Sequence, residues 1–426
     1  MAPSKSIKYL LFIYIATSLF YATFHVIQLH QNAPNTHTGS QHKSGRIAPR
    51  STEDDYTTTT TLEQFPIMVD KKLAHHQQYG SDDVLVSKAF SAAMSDQVQP
   101  YYYRATHTFP AEDITISTLV TQNRFAVLSR LASHYRGPIS AAIHVTNDTH
   151  MQNVMDDLEQ IVKNNTDMQR YVDIHLIVDK QDRQFNMWRN VARMFARTEY
   201  IMMLDVDFHL CTDPRASLEK YPELKQRLHD GTAAIVVPAF EFVDQEDGED
   251  WHQFPTTKKE LINSKHDDKI DMFHRTWTRG HGSTNYSHWY DATQPYKVTD
   301  YNYSYEPYVI VKKHKETPWC PERFVGYGAN KAACLYEIYL SGIDYWVLPQ
   351  DFLIHQTHHY PEETRTKERQ YNRKLYTFYR EEICVRYARK MKANGEWDTT
   401  KADNLKNECS KISGFSKTLD KMDPTT

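Results

Sequence analysis

From about residue 114 onwards, segments of the chain with two different spacings of apolar residues alternate. Runs typical of buried strands occur at Ile114–Val120, 139–145, 171–178, 200–204 and Ala233–Val237. Apolar stripes with helical spacing occur at 124–135, 151–162 and 185–196. Strands that alternate with helices predict an α/β fold with a mainly parallel central sheet, covered by helices on both faces.

The flanking segments differ in composition. Residues 9–29 carry no formal charge and are long enough to cross roughly 30 Å of hydrocarbon as a helix. Lys5 and Lys8 precede them, which predicts a cytoplasmic N-terminus and a lumenal remainder. A cleaved signal peptide is the alternative, disfavoured by the length of the run and the lack of a small-residue cleavage site. The predicted order is a cytoplasmic tail at 1–8, a transmembrane signal anchor at 9–29, a polar stem at 30–112, one folded domain at 113–386 and a charged tail at 387–426.

Charge and cysteine content narrow the class of protein. The chain has 50 basic and 54 acidic residues and a formal net charge of −4, so it lacks the basic surface that nucleic acid requires. Its five cysteines permit at most two intrachain disulfides with one thiol left over, and none has the C-x-x-C spacing of a metal site. N-glycosylation sequons at Asn147, Asn164, Asn285 and Asn302 agree with a lumenal domain.

The strongest chemical signal follows the strand at 200–204. Asp205 and Asp207 stand two residues apart directly after it, which points both carboxylates to the same side. In open α/β sheets, ligands bind beyond the carboxyl ends of the strands. Carboxylates there suit Mn²⁺ or Mg²⁺, which would bridge the diphosphate of a sugar nucleotide. A solvated turn is the structural alternative; a glycoside hydrolase is disfavoured because its two acids stand about 5 to 10 Å apart across a cleft.

A third metal ligand is expected from a later strand. The apolar stretch at 352–355 ends in His355, whose neutral imidazole suits Mn²⁺. His358 and His359 are the alternative candidates for this third ligand. A surface position in a histidine-rich loop is the alternative for all three.

An ordered series of short motifs resembles glycosyltransferase family 49, which includes glucuronyltransferases. The likeness runs from about Ile114 to His358, and the chain departs from the family pattern at Pro321, Ala329 and 356–359. The motifs are Asn190-Val-Ala, Leu204-Asp-Val-Asp-Phe208, Val236-Val-Pro-Ala-Phe-Glu241, Trp277-Thr-Arg-Gly-His281, Thr284-Asn-Tyr286, Tyr305-Glu-Pro-Tyr308, Arg323-Phe-Val-Gly-Tyr-Gly328, Asn330-Lys331, Val347-Leu-Pro349 and Ile354-His355.

The resemblance implies a GT-A fold, a UDP-sugar donor, Mn²⁺, inversion at the anomeric carbon and residence in the Golgi membrane. Asp205 and Asp207 match the metal-binding carboxylates of the family, and His355 its later ligand. Glu306 and Glu241 are both candidates for the base that takes the proton of the acceptor hydroxyl.

The donor is expected to contact a further group of residues. These are Asp205, Asn190, Arg279, His281 and Lys331; the cation of Arg279 or Lys331 would pair with the carboxylate of a UDP-glucuronate donor.

The function implied is metal-dependent, inverting transfer of a sugar, with glucuronic acid as the expected one, from a UDP-sugar to a glycan acceptor in the secretory pathway. A non-catalytic carbohydrate-binding or scaffold protein of the same fold is the alternative. The expected partners are the nucleotide-sugar donor, the glycan acceptor and the membrane, without nucleic acid.

One sequon yields a prediction. Asn285 lies within the Gly-His-x-x-Thr-Asn motif that the resemblance places at the active site, where a glycan would block the cleft. We expect Asn285 to be unmodified in active protein. Glycopeptide mass spectrometry of secreted or membrane-extracted protein measures this, with the other three sequons as internal comparisons, and high occupancy at Asn285 would contradict it.

Overall fold

A computed structural model describes residues 98–180, 183–358 and 365–420 of this chain. The predicted cytoplasmic tail, the anchor at 9–29, most of the predicted stem and His359 lie outside these residues. Within the described ranges, none of the helices combines the length and apolar character needed to cross a membrane.

The described strands form two sheets. The larger contains β1 (Val98–Tyr103), β2 (Ile114–Val120), β3 (Ile139–Thr146), β4 (Val172–Asp179), β5 (Tyr200–Met203), β7 (Ala233–Val237), β10 (Tyr296–Lys297), β11 (Tyr308–Lys312) and β12 (Asp344–Val347). The smaller contains β6 (Phe208–Leu210), β8 (Ala239–Phe242), β9 (Ile270–Met272) and β13 (Leu353–His355). The strand orders are β1-β4-β3-β2-β5-β11-β7-β12-β10 and β6-β13-β8-β9. The five strands predicted between residues 114 and 237 are confirmed.

Helices cover both faces of the larger sheet, as predicted. Ala141 and Ile143 of β3 point into the same core as the first helices, whereas Ala142 packs against Trp188 on the opposite face. The helices are α1 (Phe125–Tyr135), α2 (Met151–Asn164), α3 (Thr166–Tyr171), α4 (Phe185–Phe195), α5 (Pro214–Leu218), α6 (Pro222–His229), α7 (Lys258–His266), α8 (Tyr286–Asp291), α9 (Asn330–Leu340), α10 (Arg365–Ala393), α11 (Asp403–Cys409) and α12 (Phe415–Asp420).

The larger sheet is mixed: six of its nine strands run in one direction, as a mainly parallel sheet requires, and the other three run against them. The block β4-β3-β2-β5 is parallel, as the alternation of strands and helices predicted. β11 lies antiparallel between β5 and β7, and the edge strands β1 and β10 are also antiparallel to their neighbours. β11 follows β10 with no helix between them, so the constraint that makes βαβ units parallel does not act on this strand.

Three strands of the larger sheet continue directly into the smaller one. β5 leads to β6 through residues 204–207, β7 leads to β8 through Pro238, and β12 leads to β13 through residues 348–352. The small sheet therefore begins where β5, β7 and β12 end. Since β11 runs antiparallel to β5, its first residue, Tyr308, stands at this same edge.

The folded domain extends beyond the borders 113 and 386 that composition indicated. β1, in the predicted stem, pairs with β4. At the other end, Tyr387 and Met391 of α10 and Leu405 of α11 are buried in the core that contains β7 and α9. Disulfides join Cys320 to Cys334 and Cys384 to Cys409, and Cys211 is a buried free thiol, as the count of five cysteines allowed.

Asp351, between β12 and β13, yields a prediction about pH and stability. It is fully buried, and no basic side chain in the described ranges forms an ion pair with it. Burial raises the pKa of its carboxyl, an effect that the hydroxyls of Ser217 and Thr212 partly offset. The folded state therefore binds this proton more tightly than the unfolded chain, and the unfavourable contribution grows as pH rises above the ordinary carboxyl pKa.

We expect Asp351→Asn to raise the free energy of unfolding by about 1 to 2 kcal/mol at pH 7.5, a gain that shrinks towards pH 4. Urea unfolding between pH 4 and pH 8 measures it. Asp398→Asn, at a side chain 94% exposed, is the matched control. A variant less stable than the wild type at every pH would contradict the prediction.

Candidate active site

Asp205 and Asp207 lie in the connection between β5 and β6, at the junction of the two sheets. β5 is paired on both sides, with β2 and β11, and β6 is paired with β13. The connection is therefore held at both ends by backbone hydrogen bonds. The Asp205 and Asp207 side chains keep 33% and 22% of their surface exposed, so a ligand from solvent can reach both carboxylates.

Three side chains donate hydrogen bonds to the carboxylate of Asp205. Oδ2 accepts from Lys331 Nζ and from the Tyr308 hydroxyl, each at 3.0 Å. Oδ1 lies 3.4 Å from an amino group of Arg189. Burial alone would raise the pKa of Asp205, but the charges of Lys331 and Arg189 outweigh it and hold the pKa well below its ordinary value. Asp205 is therefore ionised at neutral pH.

Buried polar contacts fix the two cations. Lys331, the second residue of α9, also donates to the Tyr308 hydroxyl at 3.0 Å and lies 4.0 Å from the centre of the Tyr308 ring. Arg189 of α4 donates to the side-chain oxygens of Asn186 at 3.0 Å and Asn330 at 2.7 Å. The contacts link α4, β5, β11 and α9 around one carboxylate.

The side chain of Asp207 contacts a different pair of residues. Oδ1 lies 2.5 Å from Arg124 Nε, and Oδ2 lies 3.2 Å from His358 Nε2. Its backbone carbonyl accepts from the backbone N–H of Gln356 at 2.9 Å. Asp207 therefore connects the residues after β2 to those after β13. His358, predicted as an alternative third metal ligand, lies next to it.

His355 is the last residue of β13 and is buried opposite Phe208 of β6. Its ring packs at 5.0 Å from the rings of Phe208 and Phe273. Burial lowers the pKa of His355 to about 3, against the opposing charge of Asp207. The imidazole is therefore neutral at physiological pH, the form that binds a metal ion.

The chemistry of Asp205, Asp207 and His355 fits a hard divalent cation. Two accessible carboxylates and one neutral imidazole are ligands that Mn²⁺ accepts. Across the described residues, no three His, Cys, Asp or Glu side chains are already arranged around a common metal position. Lys331 and Arg124 instead contact the oxygens that such an ion would use, so binding requires these contacts to rearrange.

The two base candidates have different surroundings. Burial raises the pKa of Glu306, opposed by the charges of Lys331 and Arg189, and its carboxylate accepts a backbone hydrogen bond from Ala332 near the start of α9. Glu306 therefore faces the cluster around Asp205. Glu241 of β8 instead accepts from the backbone N–H of His274 at 2.8 Å, and the backbone of Arg275 also donates to it.

The four remaining predicted donor contacts fall into three groups. Asn190 exchanges hydrogen bonds with the backbone of Cys320 at 2.9 Å, a structural role in fixing that loop. Lys331 is paired with Asp205, and the buried ring of His281 stacks 6.3 Å from that of Tyr308 in the same cluster. Arg279 is exposed and forms no ion pair with any residue that the structure describes.

Sequence reasoning missed Arg189, Tyr308 and Arg124. One signal was available for Arg189, since it belongs to a polar stripe at helical spacing on the buried side of α4: Asn186, Arg189, Asn190 and Arg193. Buried charged residues require partners, and this stripe marks the helix face that approaches the site. Apart from its place in the motif Tyr305-Glu-Pro-Tyr308, Tyr308 had no comparable signal, because it begins its strand instead of following it.

Comparisons with known proteins place the chain among glycosyltransferases. The sequence model of a family described as "Glycosyl-transferase for dystroglycan" matches residues 113–185 and 178–388, together more than half of the chain. Among similar proteins, "Xylosyl- and glucuronyltransferase LARGE2s" of Danio rerio is 30% identical over 66% of this chain and 36% of its own length. "Xylosyl- and glucuronyltransferase LARGE1" of Homo sapiens is 33% identical over 58% of this chain and 32% of its own length.

The chain thus spans about a third of the length of the curated relatives it matches. A solved structure, "Crystal structure of GalNAc-T7 with UDP, GalNAc and Mn2+", is 12% identical with a TM-score of 0.36, covering 69% of this chain and 54% of that one. The match to the family model includes both site aspartates and His355. The chain belongs to glycosyltransferase family 49, whose model is described as "Glycosyl-transferase for dystroglycan".

Proposed function

We propose that this protein transfers glucuronic acid from UDP-glucuronate to a glycan acceptor, with inversion and with the help of a divalent metal ion. The observation that carries the proposal is the pair Asp205 and Asp207, both accessible at the junction of the two sheets, with Asp205 held in its ionised form. Membership of family 49 and the names of the similar xylosyl- and glucuronyltransferases support the class of reaction.

In this proposal Asp205, Asp207 and His355 hold Mn²⁺ or Mg²⁺. Such an ion, when bound, neutralises negative charge on a diphosphate leaving group. Lys331 and Arg189 keep Asp205 deprotonated and fix its orientation, and Arg124 fixes the orientation of Asp207. The buried position of His355 excludes water from one side and keeps its imidazole neutral.

Glu306 is the proposed base. Burial raises the pKa of Glu306 above that of an ordinary carboxyl, which makes its carboxylate the stronger base, and the charges of Lys331 and Arg189 oppose this shift. It takes the proton of the acceptor hydroxyl as that oxygen attacks the anomeric carbon. Glu241 is less suited to this step because its carboxylate accepts from the backbone N–H groups of both His274 and Arg275, whereas Glu306 accepts from Ala332 and lies beside the cluster around Asp205.

The donor carboxylate is assigned to Arg279. Its guanidinium is exposed and has no acidic partner among the described residues, whereas the Lys331 ammonium group is occupied by Asp205. Arg279 lies in the turn that leads to His281, next to the cluster around Asp205. A planar cation of this kind matches a carboxylate with two hydrogen bonds.

The proposal also places the protein in the Golgi membrane as a single-pass type II protein with a lumenal catalytic domain. Two disulfides among its cysteines support an oxidising compartment. The uncharged run at 9–29 supports the anchor.

Replacement of Asp207 tests the metal. We expect Asp207→Asn to lower Mn²⁺-dependent UDP release from UDP-glucuronate by roughly 10²-fold or more, because one charged ligand is lost. Affinity for Mn²⁺, measured by electron paramagnetic resonance, should fall as well. The matched control is Asp398→Asn, which should retain both properties. Near-normal turnover of Asp207→Asn, or full activity of the wild type after exhaustive chelation, would count against the proposal.

Replacement of the two glutamates separates the base from its alternative. Glu306→Gln keeps the shape of the side chain but removes the proton acceptor, so kcat should fall by about 10² to 10⁴-fold. Glu241→Gln can still accept from the backbone N–H groups and should change kcat by less than about tenfold. Steady-state kinetics of transfer measure both, and the reverse order of effects would reassign the base to Glu241.

A further inference from the structure

Trp277 has an exposed indole ring, and the mechanism proposed above assigns it no role. All seven tryptophans of the chain lie in the described residues, and among them Trp277 alone has an exposed side chain, at 45%. Its large indole ring would gain hydrophobic free energy if a ligand covered it. The exposed ring is therefore available as a binding surface.

The ring is held in place before any ligand arrives. The backbone N–H of Trp277 donates to His274 O at 2.7 Å, and Gly280 N donates to Trp277 O at 3.1 Å, which closes a tight turn. The indole packs on Gly280, where a Cβ atom would stand 2.8 Å from the ring. Glycine at position 280 allows this close packing. A ring that is already ordered loses little conformational entropy on binding.

The turn is joined directly to the proposed base. The carbonyl of Gly280 accepts from the backbone N–H of Glu306 at 2.7 Å. The next residue, His281, lies in the cluster around Tyr308, whose hydroxyl contacts Asp205. The turn that carries Trp277 is thus adjacent to the group that must meet the acceptor hydroxyl.

Glu241 holds the other end of this turn. Its carboxylate accepts from the backbone N–H of His274 at 2.8 Å and also from that of Arg275. These two residues immediately precede the Thr276-Trp277 step of the chain. Glu241 therefore sets the direction in which the turn leaves β9, and with it the position of the indole.

We propose that Trp277 is the platform on which the terminal pyranose of the acceptor glycan stacks, and that Glu241 is the residue that positions it. The apolar C–H face of a pyranose ring matches the flat apolar face of an indole. Stacking there would orient the acceptor hydroxyl towards Glu306. This inference rests on the proposed function, because it assigns the acceptor side of the same reaction.

Kinetics with two acceptors test the platform. The full-length protein is assayed with UDP-glucuronate, Mn²⁺ and either 4-nitrophenyl β-xyloside or 4-nitrophenyl β-glucuronide. Trp277→Ala should raise the acceptor KM at least tenfold and change kcat by less than threefold, and Trp277→Phe should recover part of the loss. Glu241→Ala, which removes the acceptor for the backbone N–H groups of His274 and Arg275, should show the same pattern of KM and kcat. Phe378→Ala, which removes an aromatic side chain 69% exposed on α10, is the matched control and should leave both constants unchanged.

The affinity for UDP, measured by calorimetry, separates a platform from a purely structural residue. A loss confined to the acceptor supports the inference. An equal loss of UDP and acceptor affinity in Trp277→Ala overturns it, as does an unchanged acceptor KM. If the wild type releases UDP in a Mn²⁺-dependent way but neither acceptor stimulates that release, the acceptor inference fails while the proposed function stands. Absence of any Mn²⁺-dependent UDP release is the failure of the proposed function itself.

Discussion

The buried ammonium group of Lys331, held between the carboxylate of Asp205 and the hydroxyl of Tyr308, is the contact on which the arrangement of this site depends. Lys331 lies on α9, its two partners lie in the connection after β5 and at the start of β11, and Arg189 adds α4 to the network. Removing such a cation from water costs several kcal/mol, and apolar residues of similar volume often stabilise a protein equally well. A gain in stability is therefore a poor explanation for this network. Its chemical effect is clearer, because it keeps Asp205 ionised at a position that solvent can reach.

The two aspartates illustrate how much of the site the sequence could predict. Their spacing and their place after a strand could be predicted from the sequence, because a strand has a period of two and β5 is uniformly apolar. The residues that contact the two aspartates could not be predicted in this way. Tyr308 reaches the same edge only because β11 runs antiparallel, and no local pattern determines the direction in which a strand enters a sheet. Lys331 was predicted to bind the donor, but in the structure it contacts Asp205 and Tyr308, two residues that only tertiary packing brings to it.

The borders of the domain show a second limit of sequence analysis. α10 carries so many charged residues that its average composition resembles a solvated tail, yet Tyr387 and Met391 are buried in the core. Burial of a helix depends on one stripe of its surface, which a composition average conceals. The maximum number of disulfides was predictable, because five cysteines allow at most two. Their pairing was not, because only tertiary packing brings Cys384 and Cys409 together.

The junction of the two sheets explains why groups with separate tasks can lie so close together. The smaller sheet begins where β5, β7 and β12 end, so each connection is short and anchored on both sides. On one connection stand the carboxylates of Asp205 and Asp207. The strand that follows β7 carries Glu241, whose carboxylate accepts backbone hydrogen bonds from the turn before Trp277. The Glu306 carboxylate accepts a backbone hydrogen bond from Ala332 near the start of α9 and lies near Lys331 and Arg189. Two glutamates that look equivalent in the sequence therefore differ in what their oxygens are free to do, and this difference favours Glu306 for proton transfer and Glu241 for positioning.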